Sequence, residues 1–166
     1  MRKEVKKLMV AMLGMAVLVG AWNAACSNAS GAAAPRKSFS FKIKEDYKPS
    51  ISVDKYWENY VFRSTTDSNN AWMVDFRNTS ETKNGHPITQ FYIGVVTPKG
   101  QDNRYGSAVH NVKLGSGQRY FSAYSIANKN KIVLYGKDNK DGTTGSYSVS
   151  GYWSPQTGKF PVDDRD

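Results

Sequence analysis

Three tyrosines of this 166-residue chain lie within three positions of an arginine, and two more, Tyr147 and Tyr152, lie in the C-terminal stretch SYSVSGYWSP (146–155). Aromatic rings beside cations can stack on sugars or bases. A tyrosine that half-faces solvent on a strand gives the same pattern with no ligand, so both interpretations stay open. The candidate binding surface consists of Tyr60, Arg63, Arg104, Tyr105, Arg119, Tyr120 and Tyr152.

Metal ligation has little support in the sequence. His86 and His110 are the only histidines, and the single cysteine, Cys26, lies far from both. Structural zinc sites need four clustered ligands, which this set does not supply. The run DNKDG (138–142) has the acid and amide content of a calcium loop but lacks alternating oxygen ligands and a final glutamate. We therefore expect no metal and no cofactor.

Nucleophilic catalysis is also poorly supported. A serine or cysteine nucleophile needs a histidine base and an acid, and no G-x-S-x-G elbow is present. The GSG at 115–117 fits the end of a strand, and His110 falls on the apolar side of a predicted strand. We expect no catalytic residue and a protein that is not an enzyme. A hydrolase with a site that the sequence does not reveal stays the remote alternative.

The elements that must position these residues are strands, because the apolar spacing has period two. In FSFKIK (39–44) and AWMVDFR (71–77), alternate residues are apolar, which predicts strands with one buried face. In the C-terminal stretch the same alternation sends Tyr147, Val149 and Trp153 to the core and leaves Tyr152 outward. The turn-rich run GKDNKDGTTG (136–145) predicts a hairpin onto this last strand.

About seven or eight short strands follow one another between turn-forming segments, and no long helix is credible. This pattern predicts an all-β chain with a single antiparallel β-sandwich, either immunoglobulin-like or jelly-roll-like. A small closed barrel is the alternative.

The N-terminal residues form a separate region. A basic start, an apolar run at 8–19 and small residues before Cys26 predict a signal peptide over 1–26. Cys26 follows Asn23-Ala24-Ala25, which partly matches a lipoprotein signal, so acylation of its thiol and ordinary cleavage nearby both stay open. Small polar residues predict a flexible tether at 27–37, and the β-sandwich domain is expected over 38–166.

The formal net charge is +9, with the basic residues scattered singly after the N-terminal region. An exported cationic domain is attracted to anionic envelope polymers or lipid headgroups, although scattered charge also serves solubility. No motif typical of nucleic-acid binding is present. We expect a membrane lipoprotein or an extracellular protein.

Three segments together carry a family resemblance: YVFRSTTDSNNAWMVDF (60–76), HNVKLGSGQRYFSAYSIANKNKIVLYGKDN (110–139) and YSVSGYWSP (147–155). They resemble a domain-of-unknown-function family of small exported proteins of Gram-positive bacteria. The resemblance implies export and a non-enzymatic role, and it contributes no site residue.

The sequence favours an exported or surface-tethered accessory protein that binds an envelope component, a glycan or a partner protein. Size, export and positive charge also suit a small secreted effector or bacteriocin-like protein that acts on neighbouring cells. The identity of the ligand does not follow from these residues.

Overall fold

The computed structural model describes residues 31–44, 50–51, 60–81, 87–96, 104–139 and 145–162. Within these ranges the chain forms ten strands and a single turn of 3-10 helix at Ser125–Ala127, and no helix has the length and apolar character needed to cross a membrane. The strands are β1 (Lys37–Ile43), β2 (Ser50–Ile51), β3 (Val61–Arg63), β4 (Trp72–Thr79), β5 (Ile88–Val95), β6 (Arg104–Tyr105), β7 (His110–Lys113), β8 (Gln118–Phe121), β9 (Asn130–Asp138) and β10 (Tyr147–Ser154).

The strands form two antiparallel sheets, which confirms the predicted sandwich. The first sheet has the order β1-β10-β4-β8. In the second sheet, β2 and β3 share one edge of β9, β9 pairs with β5, and β6 and β7 share the other edge of β5. Each sheet is therefore four strand positions wide, and the eight positions match the predicted number of strands.

The pairing across the chain is nested. The first strand position pairs with the eighth, the second with the seventh, the third with the sixth and the fourth with the fifth. This is one long hairpin rolled into two sheets, the arrangement of a jelly roll. The jelly-roll alternative is thus the one the topology supports.

The core lies between the sheets and is built from the apolar faces that the sequence alternation predicts. Phe39, Phe76 and Phe91 meet there edge to face, with ring centroids 5.5–5.6 Å apart. In β10, Tyr147, Val149 and Trp153 are buried, while Tyr152 is 39% exposed. The predicted facing of this strand is confirmed.

The predicted hairpin at 136–145 is wrong. β9 pairs within the second sheet and β10 within the first, so the connection between them crosses from one sheet to the other. Turn-forming residues show where a strand ends but do not determine the partner of the next strand, which is set by burial of both apolar faces.

Folded contacts begin earlier in the chain than residue 38. The Gly31 carbonyl accepts a hydrogen bond of 3.3 Å from Asn70 Nδ2, and the Ala34 amide donates to the Gln156 carbonyl at 2.9 Å. Ser154 Oγ donates to the Ala34 carbonyl at 3.1 Å. The later residues of the predicted tether at 27–37 are therefore attached to the domain, because side-chain and backbone groups of the domain satisfy their backbone hydrogen bonds.

A buried polar group closes the end of the sandwich where β5 and β10 begin. The Tyr147 hydroxyl lies 3.3 Å from Thr89 Oγ1 and 3.5 Å from Asp138 Oδ1, and all three residues are buried. Burial raises the pKa of Tyr147 well above its ordinary value, and the Asp138 and Glu81 carboxylates add to the rise. The hydroxyl therefore stays protonated and available as a donor at neutral pH.

Candidate functional site

The outer face of the first sheet is shaped by a β-bulge in β4. Asn78 pairs with Ser150 and Phe76 with Gly151, so Arg77 has no partner of its own in β10. A bulge bends the strand and redirects a side chain. Gly151 is required at this point, because a Cβ atom there would lie 2.0 Å from the Asp75 carbonyl oxygen. Glycine at position 151 therefore lets the backbones of β4 and β10 approach closely beside the bulge that displaces Arg77.

Arg77 is held between an acid and a ring on this face. Its Nε and Nη2 atoms donate to Asp75 Oδ2 at 3.0 and 2.8 Å, and its guanidinium carbon lies 4.9 Å from the centre of the Tyr152 ring. The Arg77 side chain is 52% exposed, whereas the Asp75 side chain is 5% exposed. The hydrogen bonds that Arg77 donates to the Asp75 carboxylate raise the pKa of Arg77. The result is an oriented cation with a buried counter-ion.

A second ring and cation lie across β4 on the same face. Lys159 Nζ lies 5.0 Å from the centre of the Tyr120 ring and donates to its hydroxyl at 3.3 Å. The Tyr120 hydroxyl in turn donates to Gln118 Oε1. Short polar side chains and one more lysine lie elsewhere on the first sheet, on β1, β4 and β10. They are Ser38, Ser40, Lys42, Asn78, Ser148 and Ser150.

Two other predicted residues, Tyr60 and Tyr105, lie on the outer face of the second sheet. Tyr105 is 4.9 Å, centroid to centroid, from Tyr92, which stacks on Tyr135 at 5.0 Å. Tyr60 packs against this small cluster and carries Lys131 Nζ 4.2 Å from its ring centre. The predicted tyrosines are therefore divided between the two outer faces, and the structure does not bring them into one surface.

Of the predicted arginines, Arg63 and Arg119 do not extend either tyrosine surface, and only the backbone of Arg104 is described. Arg119 is half-buried on β8 opposite Val74, and the backbone of Arg104 pairs with Val95. Arg63 is completely buried. The prediction that Arg63 belongs to the candidate binding surface is therefore wrong. Its side chain points inward from β3, where interior carbonyl groups accept its hydrogen bonds.

In the described part of the chain, basic and acidic side chains differ in their exposure to solvent. All nine exposed charged side chains there are basic. The carboxylates Asp75, Glu81 and Asp138 are buried, and Asp67 is half-buried. Nine further acids after residue 26, among them Asp54 and Glu58, belong to segments outside the described ranges. The described surface is consequently cationic, with Arg77 as its best-oriented charge.

A family model described as "Protein of unknown function (DUF2712)" matches residues 28–157. The chain belongs to this family. The predicted resemblance to a domain-of-unknown-function family is confirmed, and the match spans every strand of the DUF2712 jelly roll. No curated protein and no solved structure matches the chain.

Metal-binding residues are not grouped in the described ranges of this DUF2712 chain, where no three His, Cys, Asp or Glu side chains could share an ion. His110 is buried and stacks on Phe121, with ring centroids 4.0 Å apart. His86 and Cys26 lie outside the described residues, as does Asp141, the second acid of the run DNKDG (138–142).

Asp75 and Arg77 are not among the site residues predicted from the sequence, although the alternation in AWMVDFR (71–77) puts both opposite the apolar face of their strand. Their spacing of two residues was the available signal, since it puts opposite charges on one face. The bulge and the pairing of β4 with β10, which bring Arg77 over Tyr152, depend on contacts between residues far apart in the chain.

Proposed function

We propose that this DUF2712 protein is an exported, non-enzymatic accessory protein that binds a hydroxyl-rich, negatively charged polymer of the cell envelope. The binding surface is the outer face of the first sheet around Arg77 and Tyr152. The observation that carries the proposal is the exposed Arg77 guanidinium, which is held by the buried Asp75 carboxylate and lies 4.9 Å from the centre of the exposed Tyr152 ring.

The chemistry of the face supports a polymer of this kind. The exposed Tyr152 ring offers a stacking surface for the carbon skeleton of a sugar or polyol, and Arg77 is already oriented beside it. Hydroxyl groups of Ser38, Ser40 and Ser150 can exchange hydrogen bonds with polymer hydroxyls. Asp75 fixes the guanidinium before binding, which lowers the entropy cost of ordering it on a ligand.

The test measures binding of the full chain to poly(glycerol phosphate), with uncharged dextran for comparison. We expect binding to poly(glycerol phosphate) that weakens as salt is added, because exposed charges are screened. Arg77→Gln should weaken it about tenfold, since a charged hydrogen bond contributes more than 1 kcal/mol.

Lys113→Gln is the matched control, because it removes one exposed positive charge from the second sheet. It should change the affinity less than twofold. Equal losses in the two variants would mean that net charge alone attracts the polymer, and this outcome would contradict a site on the first sheet. Equal binding to dextran would show that the ligand need not be negatively charged, which would contradict the proposed class of ligand.

We further propose attachment to the membrane through an acylated Cys26, following export directed by residues 1–26. In cells, the wild-type protein should partition into detergent, and Cys26→Ala should appear in the medium. Ser27→Ala, which changes the neighbouring residue but keeps the thiol, should leave the protein in the detergent phase. A Cys26→Ala protein that fractionates as the wild type does would refute the anchor.

A further inference from the structure

Exposed large apolar side chains gather at one end of the sandwich. We call this the near end: it is where β1, β4 and β9 begin and where β5, β8 and β10 end. Of the seven large apolar residues exposed in the described ranges, five lie at the near end. One is in β3, and the other four are in the turns at 124–126 and 160–162. The five are Phe62, Tyr124, Ile126, Phe160 and Val162.

Hydrogen bonds fix these residues at the near end. The 3-10 turn that holds Ile126 is tied to β9, because Asn130 Nδ2 donates to the Ile126 carbonyl at 2.8 Å. Phe62 pairs with Lys131, the next residue of β9. The segment after β10 runs past the start of β4, where the Ala71 amide donates to the Lys159 carbonyl at 2.8 Å.

The chain also enters the domain at the near end. Its first described residue, Gly31, is bonded to Asn70, and a Cβ atom on Gly158 would lie 3.6 Å from the Gly31 carbonyl oxygen. Cys26 is five residues earlier. A fully extended segment of that length reaches about 18 Å.

The length of the segment from Cys26 to Gly31 limits which end of the domain can face a bilayer to which Cys26 is anchored. The eight residues of β10 span about 26 Å at the usual strand rise, so the sandwich is longer than the segment from Cys26 to Gly31. The far end cannot rest on the bilayer while Gly31 remains bonded at the near end.

We propose that the near end is a membrane-contacting surface, in which the 124–126 and 160–162 turns enter the headgroup region of the bilayer. This inference rests on the membrane attachment proposed above and not on polymer binding. Aromatic side chains favour the interface between lipid and water. Lys129, Lys131 and Lys159 lie beside the exposed apolar residues and suit anionic headgroups. With the near end on the bilayer, the first sheet stands upright and faces the envelope.

The experiment couples Cys26, the only cysteine of the full chain, to a maleimide phospholipid in vesicles of phosphatidylcholine and phosphatidylglycerol. An environment-sensitive fluorophore is attached through an azido-phenylalanine that replaces Ser125 or, in the control, Ser116. Both serines are exposed in turns, the first at the near end and the second at the far end between β7 and β8. The probe at 125 should shift to the blue and be quenched by spin-labelled lipid several-fold more than the probe at 116.

A second variant, Ile126→Ser with Phe160→Ser, should reduce the quenching at 125 while the thermal unfolding midpoint stays near that of the parent. Replacing phosphatidylglycerol with phosphatidylcholine should also reduce it, because the lysines lose their partners. Equal quenching at 125 and 116, or none at either position, would overturn the proposal. Because coupling is chemical, this result does not depend on acylation in cells or on the affinity for poly(glycerol phosphate).

Discussion

Replacement of Arg63 by methionine should lower the free energy of unfolding by about 4 kcal/mol, since it leaves several interior acceptors without a donor. The completely buried guanidinium donates to the Asn70 carbonyl at 2.5 Å and to the Pro155 carbonyl. It also donates to the Asp67 carbonyl at 3.0 Å and to Asn128 Oδ1 at 3.2 Å. Urea unfolding followed by tryptophan fluorescence measures the loss.

Two further variants make this result specific. Arg63→Lys should recover little stability, because an ammonium group cannot reproduce the planar fork of donors. Arg36→Met, at an exposed arginine, should change the free energy of unfolding by no more than about 0.5 kcal/mol. Burial lowers the pKa of Arg63 to about 10, so the side chain is still a cation at neutral pH. A loss below about 1 kcal/mol for Arg63→Met would show that its hydrogen bonds are dispensable.

Replacement of Trp153 by alanine should lower the free energy of unfolding by about 3–5 kcal/mol, because it leaves a large cavity in the core. Trp153 is 3% exposed and pairs with Lys37 on one side and Val74 on the other, so it joins three strands of the first sheet. The urea unfolding midpoint should fall while the dependence on urea stays the same.

Tyr152→Ala is the matched control, one residue earlier in the same strand. Tyr152 is exposed and its ring contacts the Arg77 guanidinium, so its loss should cost less than about 1 kcal/mol. Polymer binding should fall in this variant even though stability is kept. The facing assigned to β10 would be refuted by a larger loss of stability in Tyr152→Ala than in Trp153→Ala.

The positions of the strands could be predicted from the sequence because the pattern that defines them is local. Phe39, Phe41 and Ile43 are buried as expected, and so are Trp72, Val74 and Phe76. The prediction of a single buried face is wrong for β4, because Met73 and Asp75 on its other face are buried as well. The exposure of Tyr152 follows from the same alternation. Period two is visible within a window of a few residues.

The pairing of the strands could not be predicted in this way. Whether β9 pairs with β10 or with β5 depends on how the two sheets bury their faces against each other. The residues next to β9 in the sequence do not determine which of these pairings forms. Arg63 shows the same limitation. Beside Tyr60 it has the appearance of a surface cation, and only the folded chain brings Asn70, Asn128 and Pro155 around it.

The nested pairing has a consequence for the order in which the molecule can fold. Lys37 pairs with Trp153, so the first strand has no neighbour in its sheet until nearly the whole chain is available. Pairings between residues this distant in sequence form slowly, because the loop entropy must be lost before the contacts are gained. The first sheet therefore cannot be completed until β10 has been synthesised. Such a delay fits the export proposed above, in which the chain crosses the membrane before the domain is complete.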